Sequence, residues 1–288
     1  ISQIEHKCVI ESALAAKKFG FEIITLKPSK DGLINQEDLK KIIDNKVGLV
    51  SVMTVNNEIG TIQPIKELAE ITHAAEALFH TDAAQATSFM DINVINSNVD
   101  LLSISAHKMY GPKGIGALYI KREIQESIEP LIKGGGQENG IRSGTLPTML
   151  CVGLGEACRL INGNQKKYKT HLQQITALFW NELYKIYPSI KLNGSIDSRH
   201  PGNLNIQIPN TDAHSLLQSI QPKLAASTGS ACSSGSVEPS HVLKSINLTD
   251  SEARSSIRFS FGLDNTFEDI YLAVMIINEA IEKQIRST

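Results

Sequence analysis

Two residues at the ends of apolar runs carry the most chemical meaning in this chain. The first is Lys108, in the stretch DLLSISAHKMYGPKGIGALYIK from Asp100 to Lys121. An apolar run (Leu101, Leu102, Ile104) reads as a short buried strand and stops at Ser105-Ala106-His107-Lys108. Gly111, Pro112, Gly114 and Gly116 follow, and a second apolar run, Ala117 to Ile120, leads away. A lysine at a strand end facing a glycine-rich turn is expected to be poorly solvated. Desolvation lowers a lysine pKa and makes the amine a nucleophile toward carbonyls. Taken alone, the same residue also reads as a lysine that simply ends a strand.

The second is Asp82, in FHTDAAQ. An acid that ends a buried strand needs a partner or destabilises the fold. A pyridinium nitrogen is such a partner, and pyridoxal phosphate enzymes use an aspartate for it; a helix cap over Ala83-Ala84-Gln85 is the alternative. In parallel α/β sheets, ligands bind beyond the carboxyl ends of the strands. Asp82, Lys108 and Asn57, which follows the run 47–55, are all expected there. Ser105 and His107 flank the lysine and suit a phosphate oxygen or a purely structural bond. The loop Lys133–Thr145 (KGGGQENGIRSGT) carries Arg142, Ser143 and Thr145. Backbone N–H groups of such loops can approach phosphate. The loop lacks GxGxxG and Walker spacing, so no nucleotide fingerprint is present.

Two further residues stand out. Cys232 lies in STGSACSSGSVEPS, a stretch of small and polar residues. A thiol on such a loop can reach a substrate held elsewhere and reacts as the thiolate; an incidental surface cysteine is the alternative. Cys8, Cys151 and Cys158 fall in helical apolar patterns and read as core cysteines. Arg258 sits inside the apolar run SIRFSFG. A guanidinium there needs an anion, either a bidentate carboxylate ligand or an internal ion pair.

The elements that must position these residues alternate. Residues 5–18 read as a helix closed by Gly20, and FEIITLK (21–27) as a strand. Asn35 caps a short helix, and VGLVSVMTV (47–55) reads as a strand covered on both faces. Pro64 opens a helix with Ile65, Leu68 and Ile71 on one face, and ALFHTDAA follows as a strand. This alternation predicts α/β architecture with a mainly parallel sheet flanked by helices. An apolar helix over 147–162 and a break at Asn162-Gly163-Asn164 set a boundary near Gly163. The division is then 1–163, a large cofactor-binding domain, and 164–288, a smaller α+β domain holding the Cys232 loop. The last helix is capped by Thr266 with Asp269, and buries Ile270, Val274, Ile277 and Ile281.

Composition narrows the function classes. The chain has 288 residues, a net charge of −2 and 41% hydrophobic residues. There is no basic excess for direct nucleic-acid binding, no apolar run long enough for a membrane span and no signal-peptide pattern. The four cysteines lack C-x-x-C spacing and a nearby His pair, against both a zinc site and a disulfide framework. A reducing compartment fits. The first residue is Ile1, so the natural start is expected to be missing.

Together the segments EHK (5–7), VNNEIG (55–60), HTDAAQ (80–85), SAHKMYGPKGIGALY (105–119), GGGQENGIRSGT (134–145), GSACSSGSVEPSHVL (229–243) and SSIRFSFG (255–262) resemble the cysteine desulfurases of the NifS/IscS type. These are fold-type I, aspartate-aminotransferase-like pyridoxal 5′-phosphate enzymes of the class V aminotransferase family. The resemblance implies conversion of L-cysteine to L-alanine with transfer of sulfur to an active-site cysteine persulfide, for iron–sulfur cluster assembly or tRNA thiolation. A related lyase or aminotransferase, or a non-catalytic fragment or scaffold, is the alternative. It further implies that Lys108 carries the cofactor, Asp82 pairs with its ring nitrogen and His6 stacks on the ring. Gln85 and Asn57 would contact the ring hydroxyl or substrate. Ser105 and His107 would hold the phosphate with Thr145 of the other subunit of a homodimer. Arg258 would bind the substrate carboxylate and Cys232 would take the sulfur. The Cys232 loop looks like the longer, mobile type that delivers sulfur directly to an acceptor, such as an iron–sulfur scaffold or a tRNA-thiolation protein. The implied location is cytoplasmic, or a mitochondrial or plastid matrix. The family's N-terminal segment and C-terminal docking tail are absent from this stretch, so an open apolar sheet edge and weak cofactor binding are expected of it.

Overall fold

The computed structural model describes residues 1–229 and 239–286. In chain order the helices are α1 (Lys7–Ala16), α2 (Gln36–Ile42), α3 (Ile65–Ala74), α4 (Thr148–Asn162), α5 (Gln165–Ile186), α6 (Ala213–Ile220), α7 (His241–Ser245), α8 (Asp250–Arg254) and α9 (Phe267–Arg286). The strands are β1 (Leu49–Ser51), β2 (Leu78–Asp82), β3 (Leu101–Ser105), β4 (Gly116–Ile120), β5 (Lys191–Leu192), β6 (Asn203–Gln207) and β7 (Ser256–Ser260).

The chain divides into two compact units: Gln36–Thr54 with Pro64–Gln165, and Ile1–Asn35 with Val55–Gln63 and Lys166–Thr288. The change at Gln165 lies beside the boundary expected at Gly163. Residues 1–35 and 55–63 group with the C-terminal half, because their polar groups are satisfied there. Ile62 N donates to Ser198 O at 2.9 Å, His200 N to Gly60 O at 2.8 Å, and His241 Nε2 lies 3.0 Å from Glu5 O.

The first unit is built on a sheet of order β1-β2-β3-β4. β1, β2 and β3 run parallel, with Ser51 beside His80 and Asp82 beside Ser103; β4 returns antiparallel, pairing Ser105 with Gly116. α3 packs on β2 through buried Ile65, Leu68, Ala69 and Thr72, and α2 packs on α3. Phe79, the second residue of β2, is fully buried. The run 47–55 forms a ladder strand only over Leu49–Ser51. Its continuation keeps the pairing through Val52 N to His80 O (3.1 Å) and Thr54 N to Asp82 O (2.9 Å). β4 ends the sheet with Gly116, Ala117 and Leu118 exposed.

The second unit carries a sheet of order β5-β6-β7, antiparallel throughout. α5, α6 and α9 bury Phe179, Leu183, Leu216, Ile277 and Ile281 against Ile206 and Ile257. The Phe179 ring lies 4.8 Å from that of Phe259 and 5.2 Å from that of Phe261, within the range of favourable tilted and edge packing. α9 buries Ile270, Val274, Ile277 and Ile281 as its period predicts. Its start is closed reciprocally: Thr266 N donates to Asp269 Oδ2 and Asp269 N to Thr266 Oγ1.

Some expectations fail for identifiable reasons. FEIITLK does not form a strand: its one ladder contact is Leu26 beside Ser2, and Phe21 and Ile24 are exposed. The helical cysteines are not core residues. Cys8 and Cys158 are exposed and Cys151 is half-buried. The buried stripe of α4 runs through Ala157 and Ile161, roughly a quarter-turn from the one bearing Cys151 and Cys158. α1 buries none of its residues.

Candidate functional site

Parallel pairing brings the carboxyl ends of β2 and β3 side by side, and this places Asp82 and Lys108 at one end of one sheet. Asp82 is the last residue of β2. Its Oδ1 accepts the Ala84 N–H at 2.9 Å, so the side chain caps the turns that follow rather than a helix. Among the described residues its Oδ2 has no hydrogen-bond partner and the carboxylate has no ion pair. β3 ends at Ser105, and Ala106–Met109 form one turn of 3-10 helix. The turn closes through Tyr110, at φ 63°, and Gly111, where an added Cβ would stand 2.9 Å from Ala106 O. A side chain at 111 would therefore open the turn that presents Lys108.

Lys108 is exposed, which corrects the expectation of a desolvated amine. The 3-10 turn carries it one step past the strand, off the core. Its amine makes no ion pair or hydrogen bond to any described residue. Beside it, Ser105 Oγ and His107 Nδ1 are 2.9 Å apart, an exposed hydroxyl–imidazole pair. Gln85 is half-buried in the turns after Asp82, and Thr145 is exposed at the end of the loop 133–145. That loop is tied to itself: Ser143 N donates to Ile132 O at 3.1 Å, Gly144 N to Gln137 Oε1 at 2.9 Å, and Arg142 Nη1 to Ser143 O at 3.0 Å.

His80 was not singled out in the sequence, although it lies two residues before Asp82 on the same strand. Its Nδ1 is 2.7 Å from Ser51 Oγ and its Nε2 is 3.0 Å from Ser103 Oγ, so it links β1, β2 and β3. Burial holds its pKa below the usual imidazole value, against the opposing charge of Asp82. It is a neutral bridge, set under the strand end.

In the second unit, His6 caps α1, with its Nδ1 accepting Cys8 N–H at 3.2 Å and lying 3.0 Å from Cys8 Sγ. Asn57 is half-buried in the loop 56–60, which is closed by Asn56 Oδ1 accepting Glu58 N and Ile59 N, both at 2.9 Å. Arg258, on β7, uses Nη1 on two backbone carbonyls, Asn57 O at 3.1 Å and Gly229 O at 3.4 Å. Among the described residues its buried Nε has no hydrogen-bond partner and it makes no ion pair. The Nε–Nη2 edge, the one whose spacing matches a carboxylate, is left over. Cys232 lies outside the described residues. Among those described, no cluster of His, Cys, Asp and Glu could hold a metal ion, and no helix is long and apolar enough to cross a membrane.

A mainly parallel sheet with an unmatched aspartate and lysine at its carboxyl end is the arrangement of a fold-type I pyridoxal phosphate enzyme. The chain belongs to the aminotransferase class-V family, whose model matches residues 1–272. It is 46% identical over 283 residues to the mitochondrial cysteine desulfurase of Candida albicans, covering 98% of this chain and 58% of that protein. It is also 46% identical over 280 residues to the cysteine desulfurase IscS of Ehrlichia chaffeensis, covering 97% of this chain and 68% of that one. A solved structure, SspA in complex with cysteine, superposes with a TM-score of 0.78 at 38% identity, covering 91% of this chain and 72% of the other. The chain spans 57% to 68% of the length of the curated relatives it matches.

The family works with pyridoxal 5′-phosphate, and the residues present fit that group. A carboxylate oxygen and an amine without partners among the described residues stand at one sheet end, beside an exposed hydroxyl–imidazole pair.

Proposed function

We propose that this chain belongs to a pyridoxal phosphate-dependent cysteine desulfurase, which converts L-cysteine to L-alanine and passes the sulfur to a cysteine thiol. The observation that carries this reading is the pair of opposite charges, Asp82 and Lys108, unmatched at neighbouring strand ends. Names of relatives at 46% identity, and a related structure titled as holding cysteine, support the substrate.

In the first unit, Lys108 would hold the cofactor's carbonyl carbon covalently, and its amine would move the proton of the substrate's α-carbon. Asp82 would keep the ring nitrogen protonated through Oδ2, while Oδ1 stays fixed by Ala84. Ser105 and His107 would bind the phosphate, joined by Thr145 of a second subunit. Gln85 would meet the ring hydroxyl. When bound, the group supplies an electron sink that makes the α-carbon acidic. In the second unit, Arg258 would receive the substrate carboxylate on its free edge, His6 would lie on the ring face and Asn57 would contact the substrate. Cys232 would attack the cysteine sulfur as thiolate. The C–S bond breaks, an S–S bond forms, and the carbon fragment takes up protons to leave as alanine. A homodimer and a sulfur-acceptor protein, either an iron–sulfur scaffold or a tRNA-thiolation protein, complete the reading. Mitochondrial and bacterial relatives fit a matrix or cytoplasmic setting.

Cys232→Ser in the full-length protein tests it. A serine hydroxyl is a far poorer nucleophile at neutral pH than a thiol of pKa about 8.5. Sulfide and alanine formation from L-cysteine should be lost, while cysteine still changes the cofactor's absorbance. A mutant making both products at near wild-type rate rules out the mechanism. A related lyase or aminotransferase needs no such thiol, so its turnover would survive the substitution.

A further inference from the structure

Glu58 is a buried acid of the second unit that these roles leave unused. It sits in the loop 56–60, and only 3% of it is exposed. Its Oε2 accepts a hydrogen bond from Ser240 Oγ, the residue that caps α7. A Cβ on Gly229, which has φ 96°, would come within 2.7 Å of the same oxygen, so glycine is required for that close approach. The backbone carbonyl of Glu58 receives the side-chain amides of Asn203 (3.4 Å) and Asn205 (3.3 Å) from β6. Gly229 and Ser240 flank residues 230–238, and Ser227 pairs with Arg258 through two backbone bonds. The Arg258 guanidinium then ties Gly229 O and Asn57 O together from the other side.

We propose that Glu58 is a positioning residue that fastens Ser240, and with it the start of α7, to the 56–60 loop, beside an Arg258 Nε–Nη2 edge that no described residue occupies and that is offered to an incoming carboxylate. The proposal rests on the reading of Arg258 as the substrate-carboxylate site. Glu58 is held by a hydroxyl. Its Oε2 is engaged by Ser240 and closed off by Gly229, and it makes no ion pair with Arg258. Burial pushes its carboxyl above the ordinary range, opposed by the Ser240 hydroxyl and by the charges of His241, Arg258 and His6. These face it from the start of α7, from β7 and from the cap of α1. Protonated, Glu58 leaves the guanidinium charge to the substrate. Ionised, it becomes an internal rival of the substrate within electrostatic reach of Arg258.

The test uses full-length wild type, Glu58→Gln and Ser240→Ala, each followed from about pH 6 to about pH 9 by KM and kcat for L-cysteine and by thermal melting. The histidines titrate in all three proteins, so the comparison isolates Glu58. Wild-type KM should rise with pH more steeply than that of Glu58→Gln, the ratio growing by about threefold to tenfold, while the kcat ratio stays level. The acid's raised pKa adds stability at low pH that is lost as pH rises through it, so the Tm of Glu58→Gln minus wild type should increase with pH. Ser240→Ala removes a donor to the carboxylate and should move both transitions to higher pH. Parallel KM profiles with a pH-independent Tm difference would overturn the proposal, as would a KM raised about tenfold at every pH in Glu58→Gln. If Glu58→Gln fails to fold, the direction of the Ser240→Ala shift decides: upward supports the proposal and no shift overturns it. Melting needs no turnover, so a protein that melts as expected yet releases no sulfide contradicts the desulfurase reading alone.

Discussion

Two aspartates at opposite ends of the same sheet show what separates structure from function here. Asp100, just before β3, has its needs met. Its Oδ2 accepts Phe79 N–H at 2.8 Å and lies 2.7 Å from His73 Nε2, while Oδ1 is 3.5 Å from Lys121 Nζ. Asn98 in turn fixes His73 from its other nitrogen at 2.9 Å. Burial alone would raise the Asp100 carboxyl, but the Phe79 amide, His73 and Lys121 together hold it below the ordinary range. Among the described residues, Asp82, at the end of β2, has one turn amide and no cation, and Lys108, in the turn after the neighbouring strand, has no anion. Asp100 precedes a strand and Asp82 ends one. One is complete without a ligand, and the other is not.

Substitution should separate the two ends sharply. Lys108→Ala is expected to remove cofactor-dependent colour and at least ~1,000-fold of the activity, with stability changed by no more than about 0.5 kcal/mol, because the side chain is exposed. Asp100→Ala should do the reverse. It strands His73 and the Phe79 amide and costs about 3–5 kcal/mol, read by urea melts, with cofactor colour retained in whatever remains folded. An Asp100→Ala protein as stable as wild type would erase the contrast.

A smaller effect sharpens the comparison through pH. A depressed carboxyl contributes stability that is present above the ordinary carboxylate pKa and lost as pH falls through the folded value. The acid limb of the melting curve should therefore flatten in Asp100→Asn. The smallest effect is expected at His80. Its depressed pKa contributes stability above the ordinary imidazole value, which is lost as pH falls below it, so His80→Gln should melt with a shallower dependence on pH below that value.

The chemistry of the site end was legible because strand-end placement follows from apolar runs that stop abruptly. HTDAAQ and SAHK do so, and parallel pairing then sets them side by side. The helix faces of α3 and α9 were legible for the same reason of period. Burial was not, because it depends on which neighbour a stripe meets. The α4 cysteines share a stripe, yet the packed stripe runs beside it through Ala157 and Ile161. Lys108 misled similarly: a one-turn 3-10 segment after β3 decides its exposure, and no periodicity signals so short a turn. His80 and Glu58 lay in quoted motifs, but their roles depend on partners far away in the chain, Ser51, Ser103 and Ser240.

The most direct test of the central claim is to find where the cofactor is attached. Full-length protein purified with pyridoxal phosphate is treated with borohydride, which makes the link to the protein permanent, then digested and read by mass spectrometry. The account predicts that the added mass sits on the peptide containing Lys108, and that Lys108→Ala takes up none. A label on Lys113 or another lysine instead would contradict it.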